Sequence, residues 1–456
     1  MMNSRAAEEL SARLSRPELL VTDFSDYEAY LHDATNDRGK PGALVFAETE
    51  GDVAAAVDFC RAHSLALVPR GAGTGLSGGC VPAEGSLVLS TERMRRLTID
   101  RESRTALCGP GVITKELLDK AAEFGLTYPP DPASYDESTL GGNVAENAGG
   151  LRCLRFGVTR DYVIGLRGVT VSGERMATGV LSKSKGFNLG DVLIGSEGTL
   201  LIITEIAVRL IPTPRVGDTI LAAFGDPVDA ARTVRDITRS GMVPTVLEYL
   251  DGDAAECSNK YEKTEGVERA AAILLVETPA ENRQALTAAV RSFCRKNSCS
   301  HLRVESDENR VEQLWRIRRN LSNAVKEMAT VRVSEDVAVP ISKFPVLIDF
   351  VAEMNRTSPL RINAFGHAGD GNLHVNFLSM TGEDKDYQIM EQDIARLLKR
   401  TVELGGTLSG EHGVGLAKRR YLPLEFDGPT LDGMKRIKFI FDPQNLLNPG
   451  KIFPGP

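Results

Sequence analysis

The sequence predicts an α+β protein with two or three domains. The chain has 456 residues, and domains usually contain about 100–200. Short apolar runs typical of strands alternate along the chain with segments whose apolar residues recur at helical spacing. The stretch IPTP, which contains Pro212 and Pro214, interrupts this alternation, so we expect the first domain to end there.

The alternation of strands and helices begins at Gly42. ALVFAE reads as a strand, and the predicted helix that follows it, TEGDVAAAVDFCRAHS, has Thr49 as its N-cap. Further strands are predicted within LALVP, SLVLS, RLTIDRESRTALC, DYVIGLRGVTVSGERMATG and GTLLIITEIAVRLIP, and a helix at ITKELLDKAAEFG.

The second half of the chain repeats a strand–helix–strand order. Strands are predicted at DTILAAFGD, TVLEYLDG, AAAILLVETP and HLRVES, with helices at PVDAARTVRDITRSG and ENRQALTAAVRSFCRKN. NRVEQLWRIRRNLSNAVKEM is predicted as one long helix, and EDKDYQIMEQDIARLLKRTVELGG as another. This order indicates an open sheet with helices on one face.

Composition and charge are those of a soluble globular chain, with 42% apolar residues, 25% charged residues and a net charge of −8. A nucleic-acid-binding protein needs a basic patch, and a membrane span needs roughly 20 consecutive apolar residues; the sequence has neither. The N-terminal stretch lacks the apolar core of a signal peptide. Seven scattered cysteines without a CxxC pair are typical of a reduced, cytoplasmic compartment, where we expect them to be core side chains rather than cluster ligands.

Glycine clusters in three segments of the predicted first domain. The first, RGAGTGLSGG at Arg70–Gly79, follows a strand and could point backbone N–H groups at an anion. It is not a Rossmann fingerprint, because a strand rather than a helix follows it, and it lacks the GK[ST] of a Walker loop. By itself it could equally be an ordinary turn. With Pro129–Gly150 and Gly195–Glu205, however, it indicates a large flat ligand lying against backbone loops.

Two of the six histidines, His367 and His374, lie seven residues apart in FGHAGDGNLHVN. Neutral imidazole is a common metal ligand, and the glycine-rich link could bend to bring the two rings together. Glu411, in SGEHGVG beside His412, is the candidate carboxylate ligand. Ordinary hydrogen-bonding histidines are the alternative interpretation, and the spacing does not decide between the two.

The glycine segments resemble the flavin-binding segments of the vanillyl-alcohol-oxidase-type FAD fold. They are most similar to the family that contains D-lactate dehydrogenase, the glycolate oxidase flavin subunit and D-2-hydroxyglutarate dehydrogenase, from about Pro41 to Pro454. The resemblance implies a two-part FAD-binding domain and an α+β, ferredoxin-like substrate domain. The expected boundaries are 1–37 for an N-terminal helical segment, 38–214 for the FAD-binding domain, 215–410 for the substrate domain with the metal site, and 411–456 for a segment returning to the FAD domain.

The resemblance also implies which residues bind FAD, with the pyrophosphate on the first glycine segment. The expected cofactor residues are Arg70, Gly71, Ala72, Gly73, Thr74, Gly75, Leu76, Ser77, Pro132, Ser134, Thr139, Gly142, Asn143, Asn147, Gly149, Gly150, Glu197, Gly198, Ile203 and Asn448. Some relatives attach FAD covalently through a histidine in the first glycine segment. Here that segment has none and Thr74 lies among its glycines, so we expect non-covalent FAD.

For the histidine segment, the resemblance implies that His367, His374 and Glu411 bind a divalent metal. Zinc is the first choice, and manganese or iron would serve as the same Lewis acid. The metal would chelate a 2-hydroxy acid and lower its hydroxyl pKa. His412 would take that proton as general base while the hydride passes from C2 to flavin N5.

A substrate carboxylate favours an arginine partner, and Arg316, Arg318 and Arg319 lie together in LWRIRRNLSNAV. Helix geometry does not choose among them; the resemblance assigns Arg318 as the substrate-binding and catalytic arginine. It also assigns Asn376, and Ser322 follows Arg318 by one turn on the same face.

One position departs from the pattern of the hydroxyglutarate enzymes. They have a lysine for a distal carboxylate where this chain has Ser334, although Arg332 or Lys343 could replace it. We therefore expect D-lactate to be the leading substrate, then glycolate, then D-2-hydroxyglutarate.

The sequence carries no cluster motif and no membrane segment with which to pass electrons on alone. We expect a protein acceptor, either an electron-transfer flavoprotein or an iron–sulfur partner subunit, and a cytoplasmic enzyme that meets the inner membrane only through a partner. The sequence does not decide whether the protein forms a homodimer. The alternatives are a non-catalytic FAD-binding subunit, a metal hydrolase with incidental glycine turns, and a flavin oxidase of aromatic alcohols. The histidine segment disfavours the first, a flavin absorbance band would exclude the second, and the low aromatic content of 6% disfavours the third.

Overall fold

The protein, described from a computed structural model, forms two compact units. Unit 1 comprises Met1–Gly149, Val158–Thr213 and Glu411–Pro456, and unit 2 comprises Gly150–Gly157 and Pro214–Gly410. The structure describes residues 2–35, 37–183, 186–261, 263 and 267–453. The end of the family resemblance, Pro454, lies outside the described residues.

Short strands and helices alternate along both units. The strands are β1 (Leu20–Val21), β2 (Ala43–Phe46), β3 (Leu67–Arg70), β4 (Leu87–Ser90), β5 (Leu97–Asp100), β6 (Thr105–Cys108), β7 (Leu126–Thr127), β8 (Val163–Val169), β9 (Arg175–Ala177), β10 (Ile202–Arg209), β11 (Ile211–Pro212), β12 (Val216–Phe224), β13 (Val246–Asp251), β14 (Ala272–Pro279), β15 (Cys299–Glu305), β16 (Val331–Ala338), β17 (Arg361–Gly366) and β18 (Asn372–Ser379).

The helices are α1 (Ser4–Ser11), α2 (Glu50–His63), α3 (Thr114–Ala122), α4 (Leu140–Glu146), α5 (Cys153–Phe156), α6 (Thr159–Tyr162), α7 (Gly190–Leu193), α8 (Pro227–Arg239), α9 (Gly252–Tyr261), α10 (Arg283–Lys296), α11 (Glu308–Arg319), α12 (Leu321–Glu327), α13 (Phe344–Thr357), α14 (Asp384–Glu403), α15 (Leu422–Glu425) and α16 (Gly428–Phe441).

Unit 1 contains a four-stranded sheet in the order β1-β2-β4-β3, in which β2, β4 and β3 are parallel. The crossover between β2 and β3 is α2, whose N-cap is Thr49 as predicted. Thr49 and Asp52 form a reciprocal capping box there, which satisfies backbone donors at the helix start. The buried face of α2 packs with these strands in one hydrophobic core.

A five-stranded antiparallel sheet, β5-β6-β10-β8-β9, completes the main framework of unit 1. The C-terminal segment also joins this unit. Leu67 donates its N–H to Leu446 O and accepts at its own O from Asn448 N–H, so the chain near Leu447 runs alongside β3. This pairing places Asn448 next to the glycine segment that follows β3.

Unit 2 is built on a seven-stranded antiparallel sheet in the order β15-β12-β14-β13-β17-β18-β16. One face packs against α9, α11 and α12, in a core that includes Leu250, Leu314 and Phe365. The other face packs against helices α8, α10 and α13, where the Tyr249 ring meets that of Phe344. The predicted open sheet with helices on one face is therefore wrong, because this sheet is covered on both faces.

Two local predictions also differ from the structure. Part of the second glycine segment is helical, since α4 spans Leu140–Glu146 after the N-cap Thr139. The predicted long helix of unit 2 is divided at Asn320, which ends α11 and precedes α12. Arg318 and Ser322 consequently lie on different helices.

Candidate active site

The three glycine segments of unit 1 meet around one cleft. The predicted cofactor residues that line it are Arg70, Gly71, Ala72, Gly73, Thr74, Gly75, Thr139, Gly142, Glu197, Gly198, Ile203 and Asn448. Segments far apart in sequence thus form one concave surface made largely of backbone.

Glycine is required at two positions of the first segment because the backbone lies very close to other groups. A Cβ at Gly71 would clash with Thr139 Oγ1, and a Cβ at Gly73 would clash with the guanidinium of Arg70. Gly73 also has a φ of 79°, a left-handed conformation that other residues rarely adopt. A Cβ at Gly75, in contrast, would meet nothing within 4 Å. The cleft therefore has room for a ligand directly against this backbone.

Arg70 lines the cleft but its charge is used inside unit 1. Its Nη1 donates to His32 O at 2.6 Å and its Nη2 to Ala29 O at 2.8 Å. The guanidinium also lies 5.2 Å from the ring centre of Tyr30. Its observed contacts thus fix the start of the glycine segment against residues 29–32 rather than offer a charge to a ligand.

The other predicted cofactor residues lie outside the cleft lining. They are Leu76, Ser77, Pro132, Ser134, Asn143, Asn147, Gly149 and Gly150. Some support the cleft from behind: Asn143 Nδ2 donates to Thr114 Oγ1 at 2.7 Å, and Asn147 ends α4 in the left-handed conformation. Gly150 belongs to unit 2.

The cleft wall contains two carboxyl groups that the sequence did not suggest, those of Asp33 and Glu146. Glu146 Oε2 is buried and has no hydrogen-bond partner among the described residues. Burial, with added repulsion from Glu197 and Asp33, raises the pKa of Glu146 well above its usual value. Burial also raises the pKa of Glu197, although backbone N–H groups oppose this shift. Both shifts favour the protonated form, and the shift is stronger for Glu146, which lacks the opposing backbone donors.

A pH-dependent stability follows from Glu146. A carboxyl whose pKa is raised by folding binds its proton more tightly in the folded state, so stability falls as pH rises above the ordinary value of 4.5. Glu146→Gln removes this titration and keeps the shape of the side chain. We expect the variant's apoprotein to melt at a higher temperature than the wild type at about pH 8, with a gap that shrinks toward pH 4.5. Calorimetry at several pH values checks this, and Glu123→Gln on the surface is the control. A gap independent of pH would contradict the shift.

The segment that carries His412 is fixed to the cleft wall within unit 1. The N–H groups of Val414 and Gly415 donate to the Glu197 carboxylate at 2.8 and 2.6 Å. The next N–H group, that of Leu416, donates to Ser77 O at 2.8 Å. His412 thus lies two residues before a backbone clamp on a cleft-lining carboxylate, which keeps its half-buried side chain in the neighbourhood of the cofactor cleft.

His367 and His374 lie together in unit 2, as the sequence analysis predicted. Both are buried, and their ring centres are 5.4 Å apart. His367 directly follows β17 and begins the turn, and His374 lies within β18, so the glycine-rich link between them makes the tight connection of a hairpin. The positive φ of 74° at Gly371 marks that turn.

A buried carboxylate, Glu248 on β13, joins His367 to Arg318. His367 Nδ1 is 2.7 Å from Glu248 Oε1, and Arg318 Nε donates to Glu248 Oε2 at 2.6 Å. Burial opposes the charge on Glu248, but the positive groups of His367 and Arg318 outweigh it and lower its pKa to about 2. Because the carboxylate engages Nδ1, Nε2 of His367 is directed away from it, as in metal-bound histidines.

His374 has a carboxylate beside it as well. Its Nδ1 lies 3.5 Å from Oδ1 of Asp336, the residue opposite it on β16. Asp336 is in turn held by Asn372 Nδ2 at 2.6 Å. At Gly410 there is no room for a Cβ beside Asn372 and Asp336, so the end of unit 2 lies close against this pair. Glu411 follows directly on the chain and, like His412, belongs to unit 1.

The predicted substrate residues other than Arg318 form a second polar group in unit 2 around Arg332. Arg332 donates from Nε to Asn376 Oδ1 at 2.8 Å and from Nη1 to Ser322 O and Oγ at 3.1 Å. Asn376 is fully buried and also donates from Nδ2 to Asn363 Oδ1. Its amide is therefore used in orienting Arg332, whose pKa is lowered to about 10 by burial.

Sequence reasoning missed Glu248 and Asp336. Each is a carboxylate inside a predicted or apolar-rich strand segment, TVLEYLDG or SEDVAVP, and both are fully buried. A charge in such a run is rarely buried without a partner, so these positions carried a signal. Their partners could not be read from the sequence, since the pairing of β13 with β17 and of β16 with β18 decides them.

Comparisons with known proteins agree with this architecture. The family model described as "FAD linked oxidases, C-terminal domain" matches residues 213–452. The model described as "FAD binding domain" matches residues 41–179. The chain is 37% identical to the glycolate oxidase subunit GlcD of Bacillus subtilis, over 99% of this chain and 97% of that protein. It is 34% identical to a D-lactate dehydrogenase of Archaeoglobus fulgidus, over 95% and 97% of the two chains.

A solved structure of p-cresol methylhydroxylase with substrate bound aligns with a TM-score of 0.82 at 15% identity, covering 99% of this chain and 96% of that one. This similarity confirms the predicted vanillyl-alcohol-oxidase-type fold. In the described part of the chain, none of the helices combines the length and apolar character needed to cross a membrane. The matched domains, together with identity along almost the whole chain, show that the protein belongs to the family of FAD-linked oxidases and is an FAD-dependent oxidoreductase.

Proposed function

We propose that the protein is an FAD- and metal-dependent dehydrogenase that oxidises a D-2-hydroxy acid to the 2-oxo acid. One observation carries the proposal: the buried chain Arg318–Glu248–His367, beside His374. It links a group suited to a substrate carboxylate with a histidine pair suited to a metal. A hydroxy acid, which has a carboxylate next to the oxygen to be oxidised, matches both groups.

The metal ligands in this proposal are His367, His374 and Glu411. Carboxylates behind each histidine support this assignment, since Glu248 and Asp336 hold the rings in the manner of outer partners in metal sites. A divalent ion held there, with zinc as first choice, supplies a Lewis acid for the substrate hydroxyl. Two imidazoles and one carboxylate leave positions open for the substrate, as in catalytic zinc sites.

Arg318 binds the substrate carboxylate in this account. Its Nε is engaged by Glu248 at 2.6 Å, which leaves the two Nη groups for a bidentate pair. The ring of Phe365, 5.1 Å away, and the burial of the side chain hold the guanidinium in one orientation. Arg332, held by Asn376 and Ser322, is the cation that could take the distal carboxylate of D-2-hydroxyglutarate, the third substrate in the proposed order.

His412 is the general base that takes the hydroxyl proton. Its support is the clamp of Val414 and Gly415 on Glu197, which fixes the histidine's segment beside the cofactor cleft. A base held in place contributes about 10²–10⁴-fold to the rate. The clamp itself is made by backbone N–H groups, so it does not depend on the His412 side chain.

FAD is the redox cofactor, bound without a covalent link. The cleft of unit 1 fits FAD, since the glycine segments line it with backbone. At some of these glycines a side chain would clash, and at others the space beside the backbone is open to a ligand. When bound, FAD supplies the hydride acceptor for the substrate C2–H bond. Thr74 lies in the first glycine segment where some relatives have an attaching histidine, and that segment has none.

The substrate order is D-lactate, then glycolate, then D-2-hydroxyglutarate, because Ser334 replaces the lysine expected for a distal carboxylate. Electrons then pass to a protein acceptor, an electron-transfer flavoprotein or an iron–sulfur subunit. The relative from Bacillus subtilis is named as a subunit of glycolate oxidase, which supports a multisubunit acceptor.

Anaerobic mixing with a panel of 2-hydroxy acids tests the proposed function. Purified holoprotein is mixed with D-lactate, L-lactate, glycolate, D-2-hydroxyglutarate and a benzylic alcohol, and flavin absorbance near 450 nm is followed. We expect rapid bleaching by D-lactate, slower bleaching by glycolate, and little by L-lactate or the alcohol. A yellow protein that none of these compounds bleaches would instead favour a non-catalytic FAD-binding subunit.

A further inference from the structure

Cys294 and Cys299 lie on either side of a tight turn in unit 2. Cys294 is in the last turn of α10, and Cys299 is the first residue of β15. Between them the chain reverses at Ser298, whose φ of 59° is left-handed. This reversal places the two side chains at the same end of α10, close enough for each thiol to shift the pKa of the other.

The two thiols differ in access to solvent. Cys294 is fully buried with Leu286 and Val290 on the inner face of α10. Cys299 is partly exposed, at the start of a strand on the edge of the seven-stranded sheet. An oxidant from solution therefore reaches Cys299 first, and Cys294 is placed behind it.

The pair also differs in acidity. The neighbouring Cys294 lowers the pKa of Cys299 against the cost of burial. The neighbouring Cys299, together with burial, raises the pKa of Cys294. Cys299 is thus the more acidic of the two thiols and therefore the better nucleophile.

We propose that Cys294 and Cys299 form a redox modification site, a dithiol that hydrogen peroxide converts reversibly into an intramolecular disulfide. The arrangement of an accessible thiolate next to a protected second thiol is that of redox-responsive cysteine pairs. The disulfide would tie the end of α10 to the edge strand β15.

The reaction balances with one peroxide per pair. The Cys299 thiolate attacks one peroxide oxygen, the O–O bond breaks, and a sulfenic acid forms with release of one water after protonation. The sulfur of Cys294 then attacks the Cys299 sulfur, and the S–O bond breaks to release a second water. Both thiols are oxidised, the peroxide is reduced to two waters, and a dithiol reductant reverses the change.

Other cysteines do not share this environment. Burial raises the pKa of Cys60 and of Cys108 to about 12, and that of Cys257 to about 11. These thiols are protected both by burial and by protonation. A modest dose of peroxide should therefore modify the pair before it modifies these three thiols.

The test is peroxide treatment of the folded, FAD-loaded protein, followed by denaturation, alkylation and mass spectrometry. We expect two of the seven thiols to escape alkylation, a peptide linking Cys294 to Cys299, and full alkylation after dithiothreitol. Cys299→Ser should keep its remaining thiols, whereas Cys294→Ser should yield a sulfenic acid at Cys299 that dimedone traps. Cys60→Ala is the control and should still form the linked peptide.

Three results would overturn the proposal: a Cys299 oxidised to sulfinic acid while Cys294 remains free, thiol loss in Cys299→Ser equal to that of the wild type, or no thiol loss at doses that oxidise free cysteine. The flavin spectrum of each variant shows whether the protein has folded. If Cys294→Ser fails to fold, the proposal is still tested by the linked peptide, which should be present in the wild type and absent in Cys299→Ser.

Discussion

His412→Ala should give a yellow protein whose flavin D-lactate no longer reduces at a useful rate. FAD should be retained because the clamp on Glu197 uses the backbone N–H groups of Val414 and Gly415, which the substitution leaves intact. Loss of a positioned general base should slow flavin reduction by about 10²–10⁴-fold. Single-turnover reduction under anaerobic conditions measures this step directly, without the later transfer to an acceptor.

The matched control for that variant is His63→Ala. His63 is an exposed histidine at the end of α2, near Glu9, in the same unit. We expect it to reduce its flavin at the wild-type rate. A His412→Ala variant that is also reduced at the wild-type rate would exclude His412 as the base.

His367→Ala is expected to lose both its metal and its activity. The substitution removes a proposed ligand and also leaves Glu248 with Arg318 as its remaining charged partner. Leaving a buried acceptor without one of its hydrogen-bond partners typically costs about 1–3 kcal/mol. Thermal unfolding should therefore show a large loss of stability in addition to the loss of metal measured by elemental analysis.

A histidine elsewhere in unit 2 provides the control for this experiment. His301 lies on β15, opposite Ala223 in the edge pair of the sheet. His301→Ala should keep a full complement of metal. If His367→Ala also keeps its metal, the proposed ligand set is wrong, whatever happens to its activity.

The cofactor cleft could be predicted because its signal is local in sequence. Gly71, Gly73 and Gly198 occupy positions where backbone geometry leaves little alternative, so the glycine segments themselves mark the site. Their convergence on one cleft depended on the family resemblance, since nothing in a single segment shows which other segment it faces. The helix α4 was missed because its glycines argue against a helix, whereas the N-cap Thr139 and tertiary packing stabilise one.

In the metal and substrate region, the sequence showed the candidate ligands but not the buried partners that hold them. His367 and His374 were found from their residue type and spacing, but Glu248 and Asp336 are brought to them by strand pairing over long sequence distances. The sequence also contains a signal that helices cover both faces of the sheet. The continuous apolar run of β14, Ala272–Pro279, is typical of a strand buried on both sides.

Removal and return of the metal tests the central claim most directly. The FAD-loaded protein is treated with chelator, freed of it, and mixed anaerobically with D-lactate before and after addition of Zn²⁺. We expect bleaching to stop in the metal-free protein and to return with Zn²⁺, while the flavin spectrum before mixing stays unchanged. Bleaching by D-lactate at the same rate in protein shown to be metal-free would contradict the account.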